Sequence, residues 1–205
     1  MMTRESMVGL AAFGIFMLST VPAIAQVRAN THEVHIYAGE MFGDDLTGSA
    51  VSGQTPKLDD KVTYGLRYGY NFTDSWGLEL SLGHSPNSVK GLAGGDVDLD
   101  LTTFDVDAVW HFNPSARLVP YVLAGVGYAT AKLDRPIVGT VNGQNVSIGD
   151  DSGFTLNAGV GAKYFVTDQF LIRLEARYRY LNGIVDSFDQ SMNTFETTLG
   201  VGWRF

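Results

Sequence analysis

Four stretches of this chain carry residue types from which chemistry is built. His84 stands beside Ser85, the pair a nucleophilic hydrolase uses when the hydroxyl lies within hydrogen-bond reach of the imidazole and an acid orients the ring. "GGDVDLDL" sets Asp96, Asp98 and Asp100 at alternate positions, as a calcium loop sets its carboxylates. His32, His35 and His111 are metal ligands by type. In "LIRLEARYRY", Leu171 to Tyr180, the charged residues Arg173, Glu175, Arg177 and Arg179 alternate with Ile172, Leu174, Ala176, Tyr178 and Tyr180.

What each stretch can do depends on the element that holds it. A helix of period 3.6 scatters alternating residues around its circumference, whereas a strand sends them to opposite faces. "LIRLEARYRY" is therefore a two-faced strand. The same rule separates His84 from Ser85, and no "HxSN"-like stretch of the lipid A deacylases is present, so no enzyme is expected. An EF-hand needs Gly where Leu101 stands and Glu where Asp107 stands, so the aspartates read as a polar loop running into a strand. The three histidines lack ligand spacing and read as interior or interfacial polar groups. No metal and no cofactor is expected.

Length and composition narrow the class. Arg4, the apolar run from Met7 to Val21 and "AIA" before Gln26 form a signal-peptide pattern over residues 1–25, with cleavage expected after Ala25. No later stretch approaches the ~20 apolar residues of a helical span. Residues 26–205 are long enough for one domain and short for two. With no cysteine in an exported chain, the fold holds without disulfides. A net charge of −8 and no basic cluster argue against nucleic acid as a partner.

After residue 30 one pattern recurs eight times, about ten alternating residues and then a break, near 32–42, 62–72, 76–84, 102–112, 120–131, 154–166, 170–180 and 194–205. Three breaks are tight: "TDS" (Thr73 to Ser75), "NPSAR" (Asn113 to Arg117) and "TDQ" (Thr167 to Gln169). Four are long, polar and rich in Gly and Asp, beginning near Gly43, Ser85, Lys132 and Leu181. The layout predicts an all-β, eight-stranded antiparallel up-and-down transmembrane β-barrel, with short periplasmic turns and four long extracellular loops.

Volume decides which face is inside. An eight-stranded barrel encloses little more than its own side chains. Val62, Tyr64, Leu66, Tyr68, Tyr70 and Phe72, with their counterparts in the other runs, are too bulky to share it; the alternate set, thinned by Gly65, Gly69, Gly125, Gly127, Gly159 and Gly161, fits. The greasy set therefore faces lipid. Phe72, Trp76, Trp110, Phe112, Tyr164, Phe170, Trp203 and Phe205 gather beside the short turns or the C-terminus, where an interfacial girdle belongs.

Inward parity then collects six cations, Arg67, Lys163, Arg173, Arg177, Arg179 and Arg204, and six anions, Glu33, Glu79, Asp105, Asp107, Glu175 and Glu196. Buried charges persist when paired and hydrogen-bonded, which predicts a crossed network plugging the lumen; selectivity groups of a narrow pore are the functional alternative. The four long loops contribute −2, −2, −1 and −2 to the net charge, an acidic outer surface able to share divalent cations with lipopolysaccharide.

"YGYNFTDSWGLELSLG", "LTTFDVDAVWHFNPSARLVPYVLAGVGYA", "NAGVGAKYFVTDQFLIRLEARYRY" and the terminal "TLGVGWRF" together resemble the OmpA-type small outer-membrane β-barrels, including the N-terminal barrel of OprF-like porins, over nearly the whole mature chain. The resemblance implies that Phe205 is the C-terminal signal read by the barrel-assembly machinery, and that the protein resides in the outer membrane of a Gram-negative bacterium. It departs from members with a following peptidoglycan-binding domain, so anchoring through such a domain is not expected. The leading expectation is an envelope structural and surface protein, plugged by charge, in contact with outer-membrane lipid and lipopolysaccharide and offering acidic loops to a host or surface ligand. The alternative is a narrow porin-like or OmpW-like channel for small or hydrophobic solutes. That alternative needs an apolar lining at the outer end, which inward Val109, Leu123, Phe165 and Leu171 do not supply.

Overall fold

A computed structural model describes residues 27–43, 57–58, 61–90, 97–135, 137–141, 144–148, 151–182 and 192–205. The signal segment, Asp96 and much of the four long loops lie outside the described residues. Eight long strands dominate: β1 (Thr31–Gly43), β2 (Lys61–Asn71), β3 (Trp76–Lys90), β4 (Val97–His111), β5 (Leu118–Leu133), β6 (Asp151–Phe165), β7 (Phe170–Asn182) and β8 (Met192–Arg204). Each pairs antiparallel with its sequence neighbours, and β1 meets β8 from Glu33↔Arg204 to Gly43↔Thr194. The sheet is thus a closed up-and-down barrel, and closure pairs backbone groups all the way round without an edge. Two lesser pieces stand in the long loops: Lys57–Leu58 adds to the end of β3, and Ile137–Val141 forms a hairpin with Gln144–Ile148.

The tight turns are local chemistry. In "TDS" the Thr73 hydroxyl accepts from the amides of Ser75 (3.2 Å) and Trp76 (2.8 Å), and in "TDQ" Thr167 accepts from Gln169 (3.3 Å) and Phe170 (2.9 Å). The same residue type at the same place bends the chain the same way twice. Asn113 opens "NPSAR" in the left-handed region, at φ 49°, which Asn tolerates better than most side chains.

Parity places side chains on the two faces of the wall. Leu174 is 60% exposed between Arg173 at 0% and Glu175 at 2%. Such an inversion suits apolar surroundings outside and a polar interior within. Glycine makes room for the charges: a Cβ at Gly125 would collide with the Asp107 carboxylate, and one at Gly127 with that of Asp105.

The wall is taller than the alternating runs suggest. Much of the loop expected between Ser85 and Thr102 is strand: β3 and β4 stay paired from Trp76↔Trp110 to Val89↔Val97. Pro86 and Asn87 look like breakers, yet Pro86 pairs with Asp100 on the β4 side, while the β2–β3 ladder stops at Tyr64↔His84 among the described residues. A proline without an N–H is tolerated where one flank of its strand is unpaired. Beyond that point the Ser85 hydroxyl donates to the Val62 carbonyl at 2.8 Å and holds the seam.

This taller wall changes the lining. Val97, Leu99 and Leu101 point inward and pack with Met41, Ala129, Ala131 and Leu181 into an apolar cluster at the outer end. The expectation that no apolar lining gathers there is therefore corrected: the residues that supply it come largely from a stretch read as loop. At the opposite end Val119, Phe165 and Leu171 pack around Val27, whose amide donates to the Pro114 carbonyl at 2.9 Å. The interior is thus layered, with an apolar ceiling, a charged middle and an apolar floor.

Candidate functional site

The charged middle is set by β7, whose inward face carries Arg173, Glu175, Arg177 and Arg179 in succession. Arg173 grips Glu79 with both terminal nitrogens, the second at 3.0 Å, and also donates to Glu175. β3 and β7 stand four strands apart either way round the barrel, so this bidentate pair crosses the lumen. Fork-to-carboxylate geometry fixes orientation as well as supplying energy.

Tyr121 completes the centre. Its hydroxyl accepts from Arg173 Nε at 2.6 Å and donates to Glu175 Oε2 at 2.7 Å, with the Arg173 guanidinium 4.7 Å from its ring centroid. Arg67 donates to Glu175 Oε1 at 2.9 Å and to Thr198 Oγ1 at 3.3 Å, and lies 3.9 Å over the Tyr37 ring. Arg177 reaches Glu175 and Asp105, both at 3.1 Å, and Asp107 at 3.0 Å. Arg179 binds Asp105 at 2.7 Å and pairs with Glu196.

A second cluster lies nearer the floor. Lys163 Nζ is 2.6 Å from Glu33 Oε2 and 3.0 Å from His111 Nε2, while His35 and Asn71 hold Glu33 at 3.1 and 3.0 Å. Arg204, the cross-strand neighbour of Glu33, donates to the Asp168 carbonyl, with its guanidinium 5.1 Å from the Phe165 ring centroid.

The structure therefore brings Arg67, Glu79, Asp105, Asp107, Arg173, Glu175, Arg177, Arg179 and Glu196 together, and places Lys163 with Glu33 in the lower group. Sequence reasoning passed over Tyr121 and Tyr37, and read His35 and His111 as interior or interfacial polar groups without placing them beside Glu33 and Lys163. Their inward parity was readable, since Tyr121 alternates with Leu123 and Gly125, but parity does not reveal which hydroxyl bridges which ion pair. Gly161 carries a further trace of the tyrosine, because a Cβ there would overlap the Tyr121 ring and hydroxyl.

The other candidate stretches separate in space. Ser85 is buried while His84 faces outward, 3.1 Å from Thr102 Oγ1 and 3.9 Å from Asp100 Oδ1. β4 is paired on both flanks around Thr102, so its backbone amides belong to the ladders and supply no oxyanion donor there. Asp98 and Asp100 are exposed strand residues, and among the described residues no group of three potential ligands is placed to hold a metal. His32 stacks outside the barrel on Phe205, 5.6 Å between ring centroids, and its Nδ1 lies 2.7 Å from the Tyr68 hydroxyl. Phe72, Trp76, Trp110, Phe112, Tyr164 and Trp203 are exposed at the same end; Phe170 is half-buried. Trp76 stacks on Trp110 at 5.9 Å.

Residues 10–205 match the model of the outer membrane protein beta-barrel domain. The chain belongs to this outer-membrane β-barrel family. As a family member it is 32% identical to outer membrane protein PagN of Salmonella typhimurium over 173 residues, covering 76% of this chain and 72% of PagN. It is 26% identical over 208 residues to outer membrane porin F of Pseudomonas fluorescens, all of this chain but 56% of the porin. Among solved structures the barrel resembles Neisserial surface protein A, with a TM-score of 0.58, 17% identity, and coverage of 85% of this chain and 97% of that one. The barrel resides in the outer membrane of a Gram-negative bacterium. Its interior holds buried salt bridges, and its exterior is largely apolar.

Proposed function

We propose that this outer-membrane barrel is a closed envelope and surface-interaction protein, its lumen plugged by the charged network and its long acidic loops offered to lipopolysaccharide and to a host or surface ligand. The observation that carries the reading is the Arg173–Glu79 pair, which spans the lumen from β7 to β3. An ion passing through would have to displace a fully buried, bidentate guanidinium from two carboxylates, Glu79 and Glu175. We read no catalytic role, because the outward His84 and the inward Ser85 do not meet. Phe205, 61% exposed, fits the role of the closing signal for the barrel-assembly machinery, and the turn-side aromatics fit an interfacial girdle.

Planar-bilayer recording tests the plug. The intact barrel is expected to stay silent, and Arg173→Ala to admit small-ion currents. A steady large conductance from the intact protein would remove this reading. One observation favours a second reading, the conduit for small hydrophobic solutes: the apolar ceiling of Met41, Leu101 and Leu181 is the lining such a path needs at its outer end. Uptake of a hydrophobic solute by cells with and without the protein separates the two.

A further inference from the structure

The chain ahead of β1 leaves the wall of the barrel at Asn30. This residue stands in the left-handed region, at φ 57°; its amide donates to the Asn71 carbonyl at 2.7 Å and its side-chain oxygen accepts from the Tyr70 hydroxyl at 3.1 Å. From that fixed corner residues 27–30 turn inward across the turn-side end. The Ala29 amide donates to the Asp74 side chain in the β2–β3 turn at 2.8 Å, and the Val27 amide to the Pro114 carbonyl in the β4–β5 turn at 2.9 Å. The Thr31 hydroxyl holds the bend by donating to the Arg28 carbonyl at 2.6 Å.

Val27 ends on the far side of the mouth. Its side chain is fully buried against Val119 of β5, Phe165 of β6 and Leu171 of β7, whereas the segment is anchored on β1, four strands from β5 either way round. At about 3.4 Å per residue the four steps from Thr31 to Val27 reach up to about 14 Å, enough to cross a barrel that encloses little more than its own side chains. The seat lies level with the lower ion cluster: Val119 is the cross-strand partner of Lys163, and Leu171 of Phe165. Glu33 is the third residue of β1 and Lys163 the third from the end of β6, yet they are only 1% and 2% exposed. Burial so near the end of the wall depends on what covers the mouth.

The cover and the wall differ in what holds them. The barrel strands are paired on both flanks over most of their length, whereas residues 27–30 lie outside the ladders and Val27 is the one buried residue among the four. The gain from one apolar side chain and a few hydrogen bonds is largely offset by the ordering of the residues that make them. Such a piece opens at far lower cost than the wall it rests on. We propose that residues 27–30 are a strap that closes the turn-side mouth by seating Val27, and that swings out about Asn30 to admit water and small ions to the Glu33–Lys163 cluster. The strap is a closure in series with the Arg173–Glu79 plug and independent of it. Its release alone wets the lower cluster and leaves the plug shut.

The chain has no cysteine, so one introduced thiol reports the state of the mouth. Val119→Cys places it under Val27 with a small change in volume, and its reaction with a water-soluble maleimide is timed in the folded protein in nanodiscs. Labelling is expected to be slow with the strap intact and at least about tenfold faster with Val27→Gly, which removes the seat. Asp74→Ala, which removes one hydrogen bond from the strap, is expected to speed it about threefold. Arg117→Gln, at the same end but reaching the Val166 carbonyl, is expected to leave the rate unchanged. Val27 lies outside the strands, so Val27→Gly is expected to keep the circular dichroism of the folded barrel. Equal rates with Val27 and with Val27→Gly overturn the strap: if both are fast the mouth is open without it, and if both are slow something else closes it. In bilayer recording the current admitted by Arg173→Ala is expected to flicker as the strap seats and releases, and to become steady when Val27→Gly is added; a current already steady in Arg173→Ala overturns the strap as a gate. The thiol rates do not involve the plug, so they decide the strap whatever the fate of the plug.

Discussion

The lining of β4 changes character half-way along one strand. Towards the loops its inward residues are Val97, Leu99 and Leu101; towards the turns they are Thr103, Asp105 and Asp107, and all six are buried. The upper residues fill space, and a neighbour of similar volume can replace any one of them at modest cost. The lower ones work by pairing, so each depends on the identity and position of its partner. One barrel thus contains two kinds of interior, an apolar ceiling specified by volume and an ionic middle specified by complementarity.

The widest test of that contrast removes a partner from the middle. Arg173→Ala takes from Glu79 its bidentate partner and from Glu175 one of its three arginines, and is expected to cost about 3–5 kcal/mol, the range for breaking a buried pair, in reversible urea unfolding from lipid vesicles. Removing both ends as Arg173→Met with Glu79→Met is expected to recover most of that loss, because no uncompensated charge remains. If the double variant is as unstable as the sum of the singles, the middle layer is ordinary packing and the contrast fails. Leu101→Ala in the ceiling is expected to cost about 2–4 kcal/mol through lost contacts and the cavity left behind. Leu101→Met, which keeps the volume, is expected to cost under about 1.5 kcal/mol, and both variants are expected to leave the barrel silent in bilayer recording.

Much of the barrel and its middle layer was legible in the sequence, for a physical reason. A wall with lipid outside and polar groups inside imposes a strict period of two, so Arg173 could be assigned a face from its neighbours Ile172 and Leu174 alone. Short turns were legible because "TDS" and "TDQ" carry their own hydrogen-bond acceptor. The ceiling was not, because above the membrane the outward residues need no grease. In "DVDLDL" the alternation continues with the polar set outside, at Asp98 and Asp100, and the apolar set inside. The contrast inverts at the water line, so the stretch read as a loop. Tyr121 was missed for a different reason: its role depends on Arg173, Glu175 and Gly161, which lie on other strands and are brought to it only by closure.

The boundary between the two interiors offers the smallest and sharpest measurement. Ser85 is buried at the level where β2 and β3 part, and its hydroxyl serves the Val62 carbonyl at 2.8 Å and accepts from Asn87 at 3.1 Å. Ser85→Ala removes two neutral hydrogen bonds, each contributing about 0.5–1.5 kcal/mol, and is expected to cost less globally than Arg173→Ala. Its local effect should be disproportionate. Below the boundary Tyr64 remains paired with His84, so amide exchange is expected to quicken at Lys61 to Thr63 and to stay slow from Leu66 to Asn71. If protection falls evenly along β2 instead, the seam does not divide the strand, and the ceiling and the ionic middle unfold as one unit.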